Sequence, residues 1–124
     1  MKKILVIDDD QFFPKTLGGA LPADKYTVVY AEDGEMGLEK LNAEKPDLII
    51  LDLMMPKMDG TAFLIKLKED PNLHKCPILV SSNLSSVKKI SDVMGLGAVG
   101  YVIKSDESLQ SIVQDIERIL NNQK

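Results

Sequence analysis

Pro46-Asp47-Leu48-Ile49-Ile50-Leu51-Asp52-Leu53-Met54-Met55-Pro56 is the stretch on which the reading of this chain turns. Leu48 to Leu51 is an unbroken apolar run of strand length, too short for a helix. Pro46-Asp47 precedes it, and Pro56 and Asp59-Gly60 follow. A run without polar alternation suits a strand buried on both faces, as in a parallel sheet covered by helices. Asp52 then stands at the carboxyl end of that strand, the end at which open α/β sheets bind ligands. An aspartate there can also simply start a turn or cap a helix. What the rest of the chain brings to the same edge decides between the two.

Upstream, Lys3 to Ile7 reads as a strand ending in Asp8-Asp9-Asp10. A helix follows to about Leu21, with one of those aspartates as its N-cap. Pro14 fits only the first turn of that helix. Gly18 and Gly19 each cost about 1 kcal/mol relative to alanine, so they either permit close packing or mark a weak helix. Tyr26 to Tyr30 is a strand rich in β-formers. Asp33-Gly34 opens a second helix with Met36, Leu38 and Leu41 on its apolar side.

Downstream, Gly60 to Lys68 is a helix that turns Phe63, Leu64 and Leu67 inward. Pro77 introduces a strand from Ile78 to Ser81. Val87 to Leu96 is a short helix closed by Gly95 and Gly97. Val99 to Ile103 is the last strand. Asp106 to Leu120 is the last helix, with Leu109, Ile112, Val113, Ile116, Ile119 and Leu120 on one face. This alternation predicts one domain over residues 1–124 with a flavodoxin-like, doubly wound (βα)5 α/β fold. Its five-stranded parallel sheet takes the order 2-1-3-4-5. Strands 1 and 3 are then neighbours at the switch point, where Asp8, Asp9 and Asp52 meet. Three carboxylates at one edge repel unless a cation sits among them. Mg²⁺ suits such a site, because it takes oxygen ligands from carboxylates, waters and phosphate.

Composition narrows the field from the other side. The chain has 124 residues, 15 basic and 19 acidic, and a net charge of -4 without a basic stripe. That argues against direct nucleic-acid binding. Cys76 is the single cysteine, which excludes an internal disulfide framework and suits a reducing cytoplasm. The apolar run Ile4 to Ile7 is too short for a signal peptide, and no segment is long enough to span a membrane. Asn83-Leu84-Ser85 matches a glycosylation pattern that means nothing in a cytoplasmic protein. His74 reads as exposed loop and Cys76 as a small core residue.

The sequence resembles the receiver domain of two-component response regulators over nearly its whole length. The resemblance rests on five segments in order and at family spacing. They are Val6-Ile7-Asp8-Asp9-Asp10, Asp47 to Asp52, Met55-Pro56-Lys57-Met58-Asp59-Gly60, Pro77-Ile78-Leu79-Val80-Ser81-Ser82 and Gly97 to Lys104. It implies that Asp52 accepts a phosphoryl group from a histidine kinase or phosphotransfer protein. Asp8, Asp9 and Asp52 would hold Mg²⁺, with the backbone carbonyl of Met54 as a further ligand. Ser82 and Lys104 would bind phosphoryl oxygens, and Tyr101 would be the aromatic that reorients on activation. The surface of helix 4, strand 5 and helix 5 would then act on a downstream protein, and two copies of the chain could pair through that face. Such a protein is a switch; it catalyses only its own phosphorylation and dephosphorylation.

Two positions depart from the family pattern. Lys104 is usually followed by proline and here by Ser105; the residue after the hydroxyl position is commonly alanine and here is Asn83. A cis bond before serine costs roughly 2.5–4 kcal/mol, so Lys104–Ser105 is expected to be trans, with Ser105 or Asp106 capping helix 5. Taken alone, Asp8, Asp9 and Asp10 could be caps, Ser82 turn chemistry, Lys104 a solvated strand-end lysine and Tyr101 a core aromatic. A haloacid-dehalogenase-type phosphatase shares the Asp-x-Asp of Asp8-Asp9-Asp10, but it would want threonine or valine where Phe12 stands, and a longer chain. A flavin carrier would want a Ser/Thr/Gly-rich loop where the three aspartates lie. A degenerate receiver that binds partners without phosphorylation is the remaining alternative. The chain is expected to be either a stand-alone receiver or the receiver portion of a longer regulator.

Overall fold

Every residue of the Leu48–Leu51 strand is buried, and the fold follows from covering it on both sides. The computed structural model describes residues 1–55, 57–83 and 86–121. Pro56 of the Met55–Gly60 motif, Leu84 and Ser85 of the serine-rich turn, and tail residues 122–124 lie outside the described residues. The elements run β1 (Lys2–Ile7), α1 (Phe12–Ala20), β2 (Tyr26–Ala31), α2 (Gly34–Glu44) and β3 (Leu48–Leu51). They continue with α3 (Gly60–Glu69), β4 (Ile78–Ser82), α4 (Val87–Gly95), β5 (Gly100–Ile103) and α5 (Leu109–Asn121). The strands form one sheet in the order β2-β1-β3-β4-β5, and every pairing is parallel. This is the expected flavodoxin-like arrangement.

Side-chain alternation along the strands divides the interior into two apolar layers. On one side Leu5, Ile7, Ile49, Leu51, Ile78 and Val80 pack with Leu41 of α2, Phe63, Leu64 and Leu67 of α3, and Val93 of α4. On the other, Ile4, Val6, Leu48, Ile50, Leu79 and Val102 pack with Leu17 of α1 and Ile112, Ile116 and Leu120 of α5. The inward faces expected for α3 and α5 are the ones observed.

Helix starts follow the expected chemistry in most places. Asp33 caps α2 by accepting from the Met36 N–H at 2.9 Å, and Asp59 caps α3 through the Ala62 N–H at 2.8 Å. Gly97, at φ +109°, takes the left-handed turn after α4 that favours glycine.

Two starts differ from expectation. No aspartate is the N-cap of α1: Gln11 holds that position without a side-chain bond. The aspartates act one step earlier, Asp8 Oδ1 accepting from the Asp10 N–H and Asp10 Oδ1 from the Phe12 N–H, each at 2.9 Å. Helix α5 begins at Leu109, and its cap is neither Ser105 nor Asp106. The Asp106 and Glu107 N–H groups both bond to the Ile103 carbonyl, closing a turn first. Ser108 Oγ then accepts from the Ser111 N–H at 3.1 Å. The described residues contain no cis peptide bond, so Lys104–Ser105 is trans as expected.

Close packing by glycine occurs elsewhere than at Gly18 and Gly19. A Cβ on Gly19 would meet nothing within 4 Å, and one on Gly18 would make ordinary contact with Val28 at 3.8 Å. On Gly37 it would lie 2.7 Å from Ile7 Cδ1, and on Gly34 2.8 Å from the Met58 Cβ and carbonyl oxygen. On Gly60 it would collide with the Asp52 carbonyl oxygen. Gly34 and Gly60 thus let α2 and α3 start hard against the loop that follows Asp52.

Candidate functional site

The β1–β3 register pairs Ile7 with Leu51, so the next residue of each strand, Asp8 and Asp52, emerges side by side. The Asp52 N–H bonds to the Ile7 carbonyl at 2.9 Å and the Asp8 N–H to the Ala31 carbonyl at 3.0 Å. Both carboxylates therefore leave a fixed backbone, and both residues are buried. Asp9 is exposed beside them, and one carboxylate oxygen from each of the three lies within 4.8 Å of the others. An open cleft of about 300 Å³ is lined by Asp8, Asp9, Asp10, Asp52, Met54, Ser82, Asn83 and Lys104.

Lys104 enters from the far end of β5, which reaches this edge because β4 lies between β3 and β5. Its Nζ forms an ion pair with Asp8 Oδ2 and lies 3.7 Å from Asp52 Oδ2. Below it is the Phe13 ring, 4.9 Å from Nζ to the centroid, a cation–π contact that holds the ammonium at its apolar base. Burial raises the pKa of Asp52 from the ordinary 3.8 to about 6; Lys104 opposes that rise and the neighbouring Asp8 adds to it. One lysine thus leaves the three carboxylates under-neutralised. A hard cation bound by oxygen ligands fits this donor set.

Met54 gives its N–H to Asp52 Oδ1 at 3.3 Å, while its side chain is exposed. Ser82 is fully buried at the end of β4. By alternation it shares the α3–α4 face with Val80, as does Tyr101, which packs against that layer. Tyr101 is hydrogen-bonded to Ser82; burial raises the tyrosine pKa, the serine bond lowers it and Asp52 raises it further. Tyr101 therefore stands behind Ser82 and does not line the cleft. Ser81 points to the opposite face and also lies outside the cleft.

The sequence-based reading thus finds Asp8, Asp9, Asp52, Met54, Ser82 and Lys104 together at one cleft, with Tyr101 one contact away. It missed Phe13 beneath Lys104, since nothing in the local pattern of α1 marks one aromatic as a cation's neighbour. It also missed that the two departures meet: Asn83 Oδ1 accepts from the Ser105 N–H at 3.0 Å.

A doubly wound sheet with an acidic trio and a lysine at its carboxyl edge defines the class of phosphoacceptor receiver folds. The family model "Response regulator receiver domain" matches residues 4–117, and the chain belongs to that family. It is 37% identical over 106 residues to chemotaxis protein CheY of Treponema pallidum, covering 82% of this chain and 72% of that one. To the alkaline phosphatase synthesis transcriptional regulatory protein PhoP of Bacillus subtilis it is 37% identical over 105 residues, 83% of this chain and 42% of that protein. A two-component response regulator from Clostridium difficile superposes with a TM-score of 0.88 at 26% identity, covering 98% of each chain. The chain spans half or less of several other curated relatives, from 15% to 50% of their length. Its function is that of the family, a phosphorylation-dependent switch in two-component signalling. No described helix is long and apolar enough to cross a membrane.

Proposed function

We propose that Asp52 is the phosphoacceptor of this receiver, taking its phosphoryl group from a cytoplasmic histidine kinase or phosphotransfer protein. The observation that carries this reading is the convergence of Asp8, Asp9, Asp52 and Lys104 on one cleft. An Asp52 carboxylate oxygen forms the new O–P bond while the bond from phosphorus to the donor's imidazole nitrogen breaks, its electron pair leaving with the ring. With a pKa of about 6, Asp52 is mainly ionised at neutral pH and available as nucleophile. Lys104 and the Ser82 hydroxyl orient the incoming group and stabilise charge on its terminal oxygens.

Asp8, Asp9, Asp52 and the Met54 carbonyl would hold Mg²⁺, which when bound supplies further positive charge for the phosphoryl oxygens. The Ser82–Tyr101 pair carries the change to α4, β5 and α5, the proposed surface for a downstream protein or for a second copy of the chain. Residues 1–124 act in this reading as one receiver domain. A receiver that works without phosphorylation is not favoured, because each acidic, hydroxyl and lysine residue that the chemistry needs is present.

Acetyl phosphate with Mg²⁺ should add one phosphoryl group to the wild-type chain by intact mass, labile to hydroxylamine as an acyl phosphate is. Asp52→Asn should add none, since an amide is not a nucleophile here. Labelling retained in that variant would place the acceptor on another residue. Amide exchange should change on phosphorylation chiefly between Ser82 and Lys104.

A further inference from the structure

Asn83 follows Ser82 directly out of β4 and lines the acidic cleft with Asp52 and Lys104. Its Oδ1 accepts from the Ser105 N–H at 3.0 Å, next to the bond from the Lys104 N–H to the Ser82 carbonyl at 2.9 Å. A carboxamide has an accepting end and a donating end of nearly equal size. A backbone N–H only donates, so Ser105 selects the oxygen and fixes which way round the amide stands. A proline at position 105 would have no N–H and would impose no such choice. The NH₂ end takes no partner among the described residues, and the side chain that carries it borders the space beside Asp52. A phosphoryl group there presents terminal oxygens that each accept more than one hydrogen bond. Among the described residues, Lys104 is the only cationic side chain lining the cleft.

We propose that Asn83 is a phosphoryl-binding residue, its NH₂ donating to an oxygen of the group on Asp52. Ser105 is the positioning residue that keeps that donor end available. This rests on the reading of Asp52 as the acceptor. The ligand chemistry is a tetrahedral oxyanion attached to a carboxylate, for which beryllofluoride is a non-reacting mimic.

Beryllofluoride binding to the chain in Mg²⁺, followed by fluorine NMR, tests the assignment. A hydrogen bond to a charged group is worth about tenfold or more in affinity. Asn83→Ala should therefore weaken beryllofluoride binding by about that factor, with the affinity for Mg²⁺ alone unchanged. Asn83→Asp keeps an oxygen for Ser105 but has no donor, and should lose at least as much. Ser105→Pro should lose less, and combining it with Asn83→Ala should be no worse than Asn83→Ala alone. Binding by Asn83→Ala or Asn83→Asp within twofold of wild type would overturn the assignment. So would an equal loss of affinity for Mg²⁺ alone. If the wild-type chain takes up no beryllofluoride, the reading of Asp52 falls and this one falls with it.

Discussion

Asp52 is a carboxylate in a place that resists its charge. Burial and Asp8 push its pKa to about 6 although Lys104 pulls the other way. Between about pH 4 and 6 the metal-free folded chain holds a proton at Asp52 that the unfolded chain has released. Stability from this residue is therefore present at the acid end and falls as the pH rises through that window. Asp52→Asn removes the charge at nearly constant shape. In the presence of a chelator at pH 7 it should stabilise the fold by about 1–2 kcal/mol, discounted because the carboxylate faces an open cleft. Denaturant titration at pH 4 and pH 7 checks this: the gain should shrink at pH 4, and equal gains would contradict it. Asp8, Asp9 and Asp52 were legible in the sequence because carboxylates at the ends of neighbouring apolar strands converge once a parallel sheet is assumed. Lys104 taken alone reads as a solvated strand-end lysine, and only the family resemblance brought it to the site. Phe13 under Lys104 and Asn83 against Ser105 were not, because each joins segments whose side-chain directions only the folded chain sets.

At the scale of elements, the glycines in helices separate position from composition. Gly19 and Gly37 are both helical, yet a methyl group on the first meets open space and on the second meets Ile7. Gly19→Ala should stabilise the fold by about 0.5–1 kcal/mol, through helix propensity and a less flexible unfolded chain. Gly37→Ala should destabilise it by about 1–3 kcal/mol through overpacking against β1. Thermal melts of the two variants should move in opposite directions; a rise for both would mean that Ile7 gives way. Spacing along the chain showed where the helices run but not which glycine meets a strand side chain. The start of α5 was misread for a related reason. Asp106 and Glu107 look like residues of a first turn, but their amides are engaged with Ile103.

For the molecule as a whole, strand order is what matters. The order β2-β1-β3-β4-β5 brings one carboxylate-bearing end from β1, one from β3 and a lysine from β5 to a single edge. Because that edge is assembled only in the folded state, Mg²⁺ bound there should raise stability as RT ln(1 + [L]/Kd), about 2.7 kcal/mol at a hundred times Kd. Melting in increasing Mg²⁺ should show the rise, and Asp9→Asn should blunt it. An unaltered response in Asp9→Asn would put the ion elsewhere.

The sheet also divides the interior into two layers that do not hear the same message. Ser82 and Tyr101 look toward α3 and α4, so in the proposed reading a change begun at Asp52 would be spoken into that layer. The α1–α5 layer is in touch with the site through Lys104, resting on Phe13. The sheet is in effect a party wall, with a loud room on one side and a quieter one on the other. The outer face of α1 can then be rewritten, or lean on a neighbouring module, with little disturbance to what passes between β4 and α4.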